Sequence, residues 1–170
     1  LPTSFGNSMR ALEEYAASMY GLDGVVGWTR LQAVIPTEYQ TIIDGQRLYR
    51  DFWVNSCFVC FALLTEAILL CFLRPARIVV GLVLIVILVL LIWWTYESAN
   101  TAAQRFGDYV RSAYDLYIDD LRQKLRLPKH DDPIGQRRIW FLAGQAYAYR
   151  SKHTLDKLHK SAESETMDSK

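Results

Sequence analysis

Histidine, cysteine and net charge are all scarce in this chain of 170 residues: it has three histidines, three cysteines and a formal charge of +1. A charge so close to zero produces no long-range field for nucleic acid or for an acidic partner, so no nucleic-acid ligand is expected. His153 and His159 are six positions apart, and the i, i+4 histidine pair of a helical zinc site is missing. His130 stands beside Asp131 and Asp132, but Pro133 follows, and the run reads as a turn leading into a helix cap. No glycine loop that could cradle phosphate, no nucleophile elbow and no clustered metal signature occurs. No catalytic, cofactor or metal residue is therefore assigned, and a non-enzymatic role is expected.

The cysteines are informative by their position. Cys57, Cys60 and Cys71 all fall within one apolar run. Cys57 and Cys60 have C-x-x-C spacing, but redox use needs an accessible thiolate in an electropositive setting, and hydrocarbon disfavours the thiolate. They read as small apolar fillers. Arg122 and His130 depart in spacing from the arginine–histidine signature of small helical ribonucleases, and Pro128 interrupts any helix carrying both. The chain begins at Leu1 and shows no basic n-region, short apolar core and small-residue cleavage site, so a trimmed start is expected.

What the chain has in abundance is hydrocarbon, concentrated at its centre. Residues 78–96 carry no formal charge. About 20 helical residues cross the hydrocarbon of a bilayer, and a buried strand would end after about 4–8. β-Branched residues do not prevent a helix here, because lipid forces every backbone group to bond internally. Residues 52–73 form a second run with one ionisable group, Glu66, and a polar entry at Asn55 and Ser56. Between the runs stand only Arg74, Pro75, Ala76 and Arg77. Proline opposes continuation of the first helix, and a connection this short makes the two spans antiparallel neighbours. The expected anchors at the two interfaces are Phe52, Trp53, Trp93, Trp94 and Tyr96 on one side and Arg74 and Arg77 on the other.

Basic residues flank the hairpin on its open side at Arg47, Arg50, Arg105 and Arg111. Their excess over the turn favours both termini in the cytoplasm of a plasma or inner membrane. Glu66, with Thr65 and Asn55 on the same span, is the most informative position. A carboxyl in hydrocarbon is neutral, paired, or exposed to a protein-lined cavity. The residue is read either as part of an oligomer interface, as a pore-lining group, or as a side chain that snorkels.

Both spans are expected to continue into water. Ala99, Ala103, Phe106, Val110, Ala113, Tyr117, Leu121 and Leu125 recur at helical spacing, which extends the second helix to about residue 126. This stripe predicts helix packing, either local or in a parallel oligomeric stalk. Thr37 followed by Gln40 reads as a capping box opening the first long helix. Upstream, a cap at Asn7 or Ser8 would start a helix with Met9, Leu12, Tyr15 or Ala16, and Met19 inward, ended by Gly21. Asp23 would start a short helix with Trp28, Val26, Leu31 and Val34. Asp132 and Pro133 open the last helix, carrying Ile134, Ile139, Leu142 or Ala143, Ala146, Tyr149 or Arg150, and His153. Arg137 and Arg138, near its start, are expected to pair with Asp131 or Asp132, a partner or lipid phosphate. Residues 161–170 are polar and read as a disordered tail.

The expected fold class is all-α. A two-span hairpin (52–96) has helices that extend into a bundle built from residues 1–51 and 97–160. The expected function is a membrane subunit that oligomerises or scaffolds a larger assembly, with the bilayer and further protein subunits or copies as partners. The alternative is a homo-oligomeric pore or membrane-perturbing effector, whose layout, though no motif, is similar to two-span bacterial defence effectors.

Overall fold

The computed structural model describes residues 3–73, 78–130, 132–158 and 160. Among these all regular structure is helical. Helix α1 covers Ser4–Tyr20, α2 Gly24–Leu31, α3 Thr37–Leu73, α4 Ile78–Lys124 and α5 Pro133–Ala148, and a short helical stretch follows over 152–158. Arg74, Arg77, Asp131, His159 and the 161–170 tail lie outside the described residues.

The long pair dominates. α3 has 37 residues and α4 47, which at helical rise gives lengths of about 55 and 70 Å. Each contains a stretch long and apolar enough to cross a membrane. They pack side by side and antiparallel: Cys71 meets Gly81, Trp53 meets Trp94, and Tyr39 meets Tyr109 and Tyr117.

The packing has a heptad rhythm that the sequence stripe missed. On α3 one covered or half-covered series runs through Ile43, Gln46, Arg50, Trp53, Cys57, Cys60, Leu64, Ala67 and Cys71. On α4 the matching series runs through Gly81, Ile85, Leu88, Ile92, Thr95, Ala99, Ala102 and Phe106. Both series alternate steps of three and four, the pattern of a left-handed two-helix supercoil. Inside the spans this alternation is invisible as hydropathy, because the outward residues are as apolar as the inward ones. The three cysteines all lie half-buried on this seam with free thiols. Gly81 permits close approach, since a Cβ there would overlap Cys71 Sγ.

The remaining helices gather on the outer half of the pair. α1 packs on α4, α2 and α5, and α2 packs on α4 and α5. One core results, with Ala16, Leu22, Leu31, Ile43, Tyr114, Leu121, Trp140, Ala143 and Leu158 buried in it. Residues from both ends of the chain thus close over the middle.

Several local expectations are corrected. α1 is capped by Thr3, whose hydroxyl accepts from the Gly6 N–H at 3.1 Å, so the helix starts before Asn7 and Ser8. Met19 points outward, 55% exposed. The Gln40 side chain does not close a capping box on Thr37; its amide donates to the carbonyls of Gln32 and Ile35, finishing the preceding turn. The Gln40 N–H donates to Pro36 O instead. α5 starts as expected, with Asp132 accepting from Gly135 N–H at 3.0 Å. It stops at Ala148, however, and Arg150 takes a left-handed φ of 52°, so the face does not run on to His153. Ile134 and Tyr149 are exposed. At the end of α1, Gly21 holds φ 79°, a conformation that glycine tolerates without a Cβ penalty.

Candidate functional site

The residues singled out by the sequence fall into four places. The first is the outward face of α3. Asn55, Thr65 and Glu66 are exposed, on sides of the helix turned away from the seam with α4. Asn55 and Glu66 are eleven positions apart, about three turns, which leaves them within about 20° of one another. Val59 and Ala62, also exposed, lie between them on this face. Thr65 sits to one side, and its hydroxyl is satisfied by the Ala62 carbonyl at 2.7 Å. No side-chain hydrogen bond or ion pair within the described residues engages Glu66 or Asn55. The face is otherwise hydrocarbon, with Phe52, Leu69, Leu70 and Leu73 exposed along it.

The second place is the aromatic girdle. Trp53 packs edge-on against Trp94 with ring centres 5.2 Å apart, and Tyr49 and Phe52 pack against Trp53 at 6.0 and 5.2 Å. Trp93 is 65% exposed. Tyr96 is taken up within the chain, its hydroxyl 3.0 Å from Ser4 Oγ, which fixes the start of α1 at the level of the girdle. The Trp53 indole N–H and the Asn100 side-chain oxygen are buried there without a partner.

The third is the stripe on the aqueous half of α4. Ala99, Ala103, Phe106, Val110 and Ala113 are buried and Tyr117 is half-buried, all within the chain's own packing. Phe106 also carries the Arg50 guanidinium 4.6 Å above its ring. Of the two uses considered for this stripe, the structure places these residues in local helix contacts, so they are covered and offer no free face to a parallel stalk.

The fourth place is a polar clamp that sequence reasoning missed. Asp115 on α4 accepts from the Tyr15 hydroxyl at 2.8 Å and from the Tyr20 hydroxyl, both on α1. Burial, and then the bond to Asp115, push both phenols above their ordinary range. The Arg111 guanidinium lies 5.7 Å from the Tyr15 ring centre and pairs with Asp108 at 3.2 Å. Nearby, the buried Tyr114 hydroxyl donates to Gly24 O at 2.9 Å, tying α2 to α4. Arg137 does not pair with Asp132: it donates to Ser18 O at 2.7 Å, where a cation meets the carbonyl end of α1. Arg138 is exposed. Apart from the Arg111–Asp108 pair, three residues apart on α4, these pairings have no short sequence signal, since their partners are about a hundred residues apart.

No three His, Cys, Asp or Glu side chains converge on a possible metal position among the described residues. Comparison of the chain with family models, with curated proteins and with solved structures finds no match.

Proposed function

We propose that the protein is a non-enzymatic, two-span membrane subunit that self-associates inside the bilayer through the outward face of α3, with both termini in the cytoplasm. One observation carries this: Glu66 stands on the side of the hairpin turned away from α4, aligned with Asn55 and served by no side chain among the described residues. Lipid offers a carboxyl no hydrogen-bonding partner, and leaving it unpaired costs several kcal/mol. A second copy offers the same pair of polar groups and the small Ala62 for close approach.

The exposure of the apolar runs supports the membrane setting. In the most apolar stretch of each helix only 6% and 11% of the residues are buried, whereas the core helix of a water-soluble domain is mostly covered. The stretch between Asn55 and Glu66 bears on the pore alternative. Val59 and Ala62 interrupt the polar positions, so this face provides no continuous wet lining and suits a closed interface.

The test is cross-linking and mass measurement in nanodiscs. In a background without native cysteine, Ala62→Cys is expected to form a disulfide between copies under mild oxidation, and Val83→Cys on the outer face of α4 is not. Glu66→Gln retains a hydrogen-bonding group and is expected to keep the oligomer; Glu66→Leu is expected to weaken it. A monomeric wild type in the bilayer would overturn the proposal. Ion flux through wild-type liposomes that is lost in Glu66→Leu would replace the scaffold with the pore.

A further inference from the structure

Two cavities stack along one groove between α1 and the long pair. The lower, about 260 Å³, is walled by Phe5, Val54, Cys57, Phe58, Phe61 and Ala99. Its two hydroxyl-bearing residues, Thr3 and Tyr96, are already engaged, one in capping α1 and the other with Ser4. The upper, about 280 Å³, is lined by Met9, Leu12, Trp28 and Phe106 and holds one cation and one carboxylate, Arg50 and Glu13. The two cavities are lined by successive turns of the same helices. Phe5, Met9 and Glu13 follow at i, i+4 and i+8 on one face of α1, while Val54 and Arg50 are one turn apart on α3. The backbones of α1 and α3 stay apart and the helices meet through the Met9 and Arg50 side chains, which leaves room for the groove.

Arg50 is the polar feature that gives this groove a ligand chemistry. Its side chain is only 17% exposed. Nε and one terminal nitrogen both donate to Asp51 Oδ1, at 2.9 and 2.7 Å. The other terminal nitrogen has only the Met9 thioether, at 3.9 Å, a weak acceptor. A guanidinium so enclosed ordinarily finds an oxygen anion, carboxylate or phosphate, for each side of its fork. Here Arg50 lines the cavity with its guanidinium over the Phe106 ring, and one side of its fork has no oxygen partner among the described residues.

We infer that the groove binds one zwitterionic phospholipid of the surrounding bilayer: an acyl chain in the lower cavity, the phosphate at Arg50, and the cationic end of the headgroup at Glu13. The order of the groups along α1 is the order of such a lipid. Phe5 lies at the level of Val54 and Cys57, inside the first apolar span. Met9 and Arg50 lie at the girdle, where phosphates sit, and Glu13 is one turn further from the membrane. Each step is about 6 Å along the helix. A bound lipid would fill the gap that keeps α1 from α3 and so couple the bundle to the bilayer. This inference rests on the membrane setting and not on self-association.

Native mass spectrometry of the full chain released from nanodiscs of equal phosphatidylethanolamine and phosphatidylglycerol tests it. Wild type is expected to retain one phosphatidylethanolamine per chain. Arg50→Gln, which loses the fork, is expected to lower retention about tenfold or more. Val54→Trp, which fills the lower cavity and leaves Arg50 intact, is expected to do the same. Arg47→Gln, exposed on the same helix, serves as the control and is expected to retain the lipid. Circular dichroism of each variant at wild-type helicity excludes unfolding as the cause. Equal retention by wild type, Arg50→Gln and Val54→Trp would overturn the site, as would preferential retention of phosphatidylglycerol. Both results can be read whether the chain is monomeric or oligomeric, so failure here is distinct from failure of the α3 interface.

Discussion

Gly81→Cys tests the register of the long pair. A Cβ at position 81 would stand 3.7 Å from Cys71 Cβ, close to the average of about 3.8 Å in protein disulfides. The same Cβ would overlap the present position of Cys71 Sγ, so Cys71 must turn about its χ1 to form the bond. The bridge closes a loop of about ten residues, for which chain entropy gives roughly 3 kcal/mol in water. In the proposed membrane setting, where lipid would confine the separated helices, that figure is an upper bound. With Cys57 and Cys60 replaced by Ser, oxidation of Gly81→Cys is expected to yield an intramolecular disulfide, read as a mass loss of about 2 Da and as protection from maleimide. The oxidised form is expected to melt at a higher temperature than the reduced one. Val83→Cys, on the exposed side of α4, is expected to give no such bond with Cys71. If Val83→Cys bridges and Gly81→Cys does not, α4 is rotated from the position described. In that case the α4 half of the heptad seam falls with it, while the face of α3 that carries Cys71 still meets α4 and Glu66 stays outward.

Other outcomes follow from the aqueous half of the molecule. Tyr114→Phe removes one buried hydrogen bond and is expected to cost about 1 kcal/mol, while Tyr114→Ala opens a cavity and is expected to cost about 3–5 kcal/mol. Thermal melts in detergent should separate the two, at about 2–4 °C per kcal/mol; equal losses would show that ring packing is not what holds α2 to α4. Burial raises the phenols of Tyr15, Tyr20, Tyr39, Tyr114 and Tyr147 above their ordinary value of 10.0. Above about pH 10 the unfolded chain releases these protons while the folded chain keeps them. The associated stability is therefore fully present at neutral pH and is lost as pH rises beyond that point. A melt at pH 11 that matches the melt at pH 8 would refute this. Asp115→Ala deprives two tyrosines of their shared acceptor and is expected to loosen α1, seen as faster hydrogen exchange in α1 than in α5; unchanged exchange would remove the clamp.

The sequence by itself determined the long helices. Nineteen consecutive uncharged residues at 78–96 and a second run broken only by Glu66 admit no other regular structure, because hydrocarbon length and backbone satisfaction are local demands. The caps at Asp23 and Asp132 and the left-handed stop at Gly21 were legible for the same reason: each concerns a side chain and a backbone group within a turn of it. Where two caps compete within a few residues the sequence misled, as with Thr3 against Asn7 or Ser8, since both choices satisfy the same local chemistry.

Tertiary structure decided what the helices do with their faces. Inside the apolar spans every side is hydrophobic, so no period in hydropathy distinguishes the seam of Cys57, Leu64 and Cys71 from the outer face with Val59 and Leu69. Only the packing of α3 on α4 turned Glu66 outward. The small stripe from Ala99 to Ala113 could serve a neighbour in the same chain or in another copy with equal chemistry, and the docking of α1 and α2 settled that it is used at home. The Asp115 clamp and the groove at Arg50 join α1 to α4 and α3 across long separations in the chain, and a pairing of that kind exists only once the fold has brought its members together.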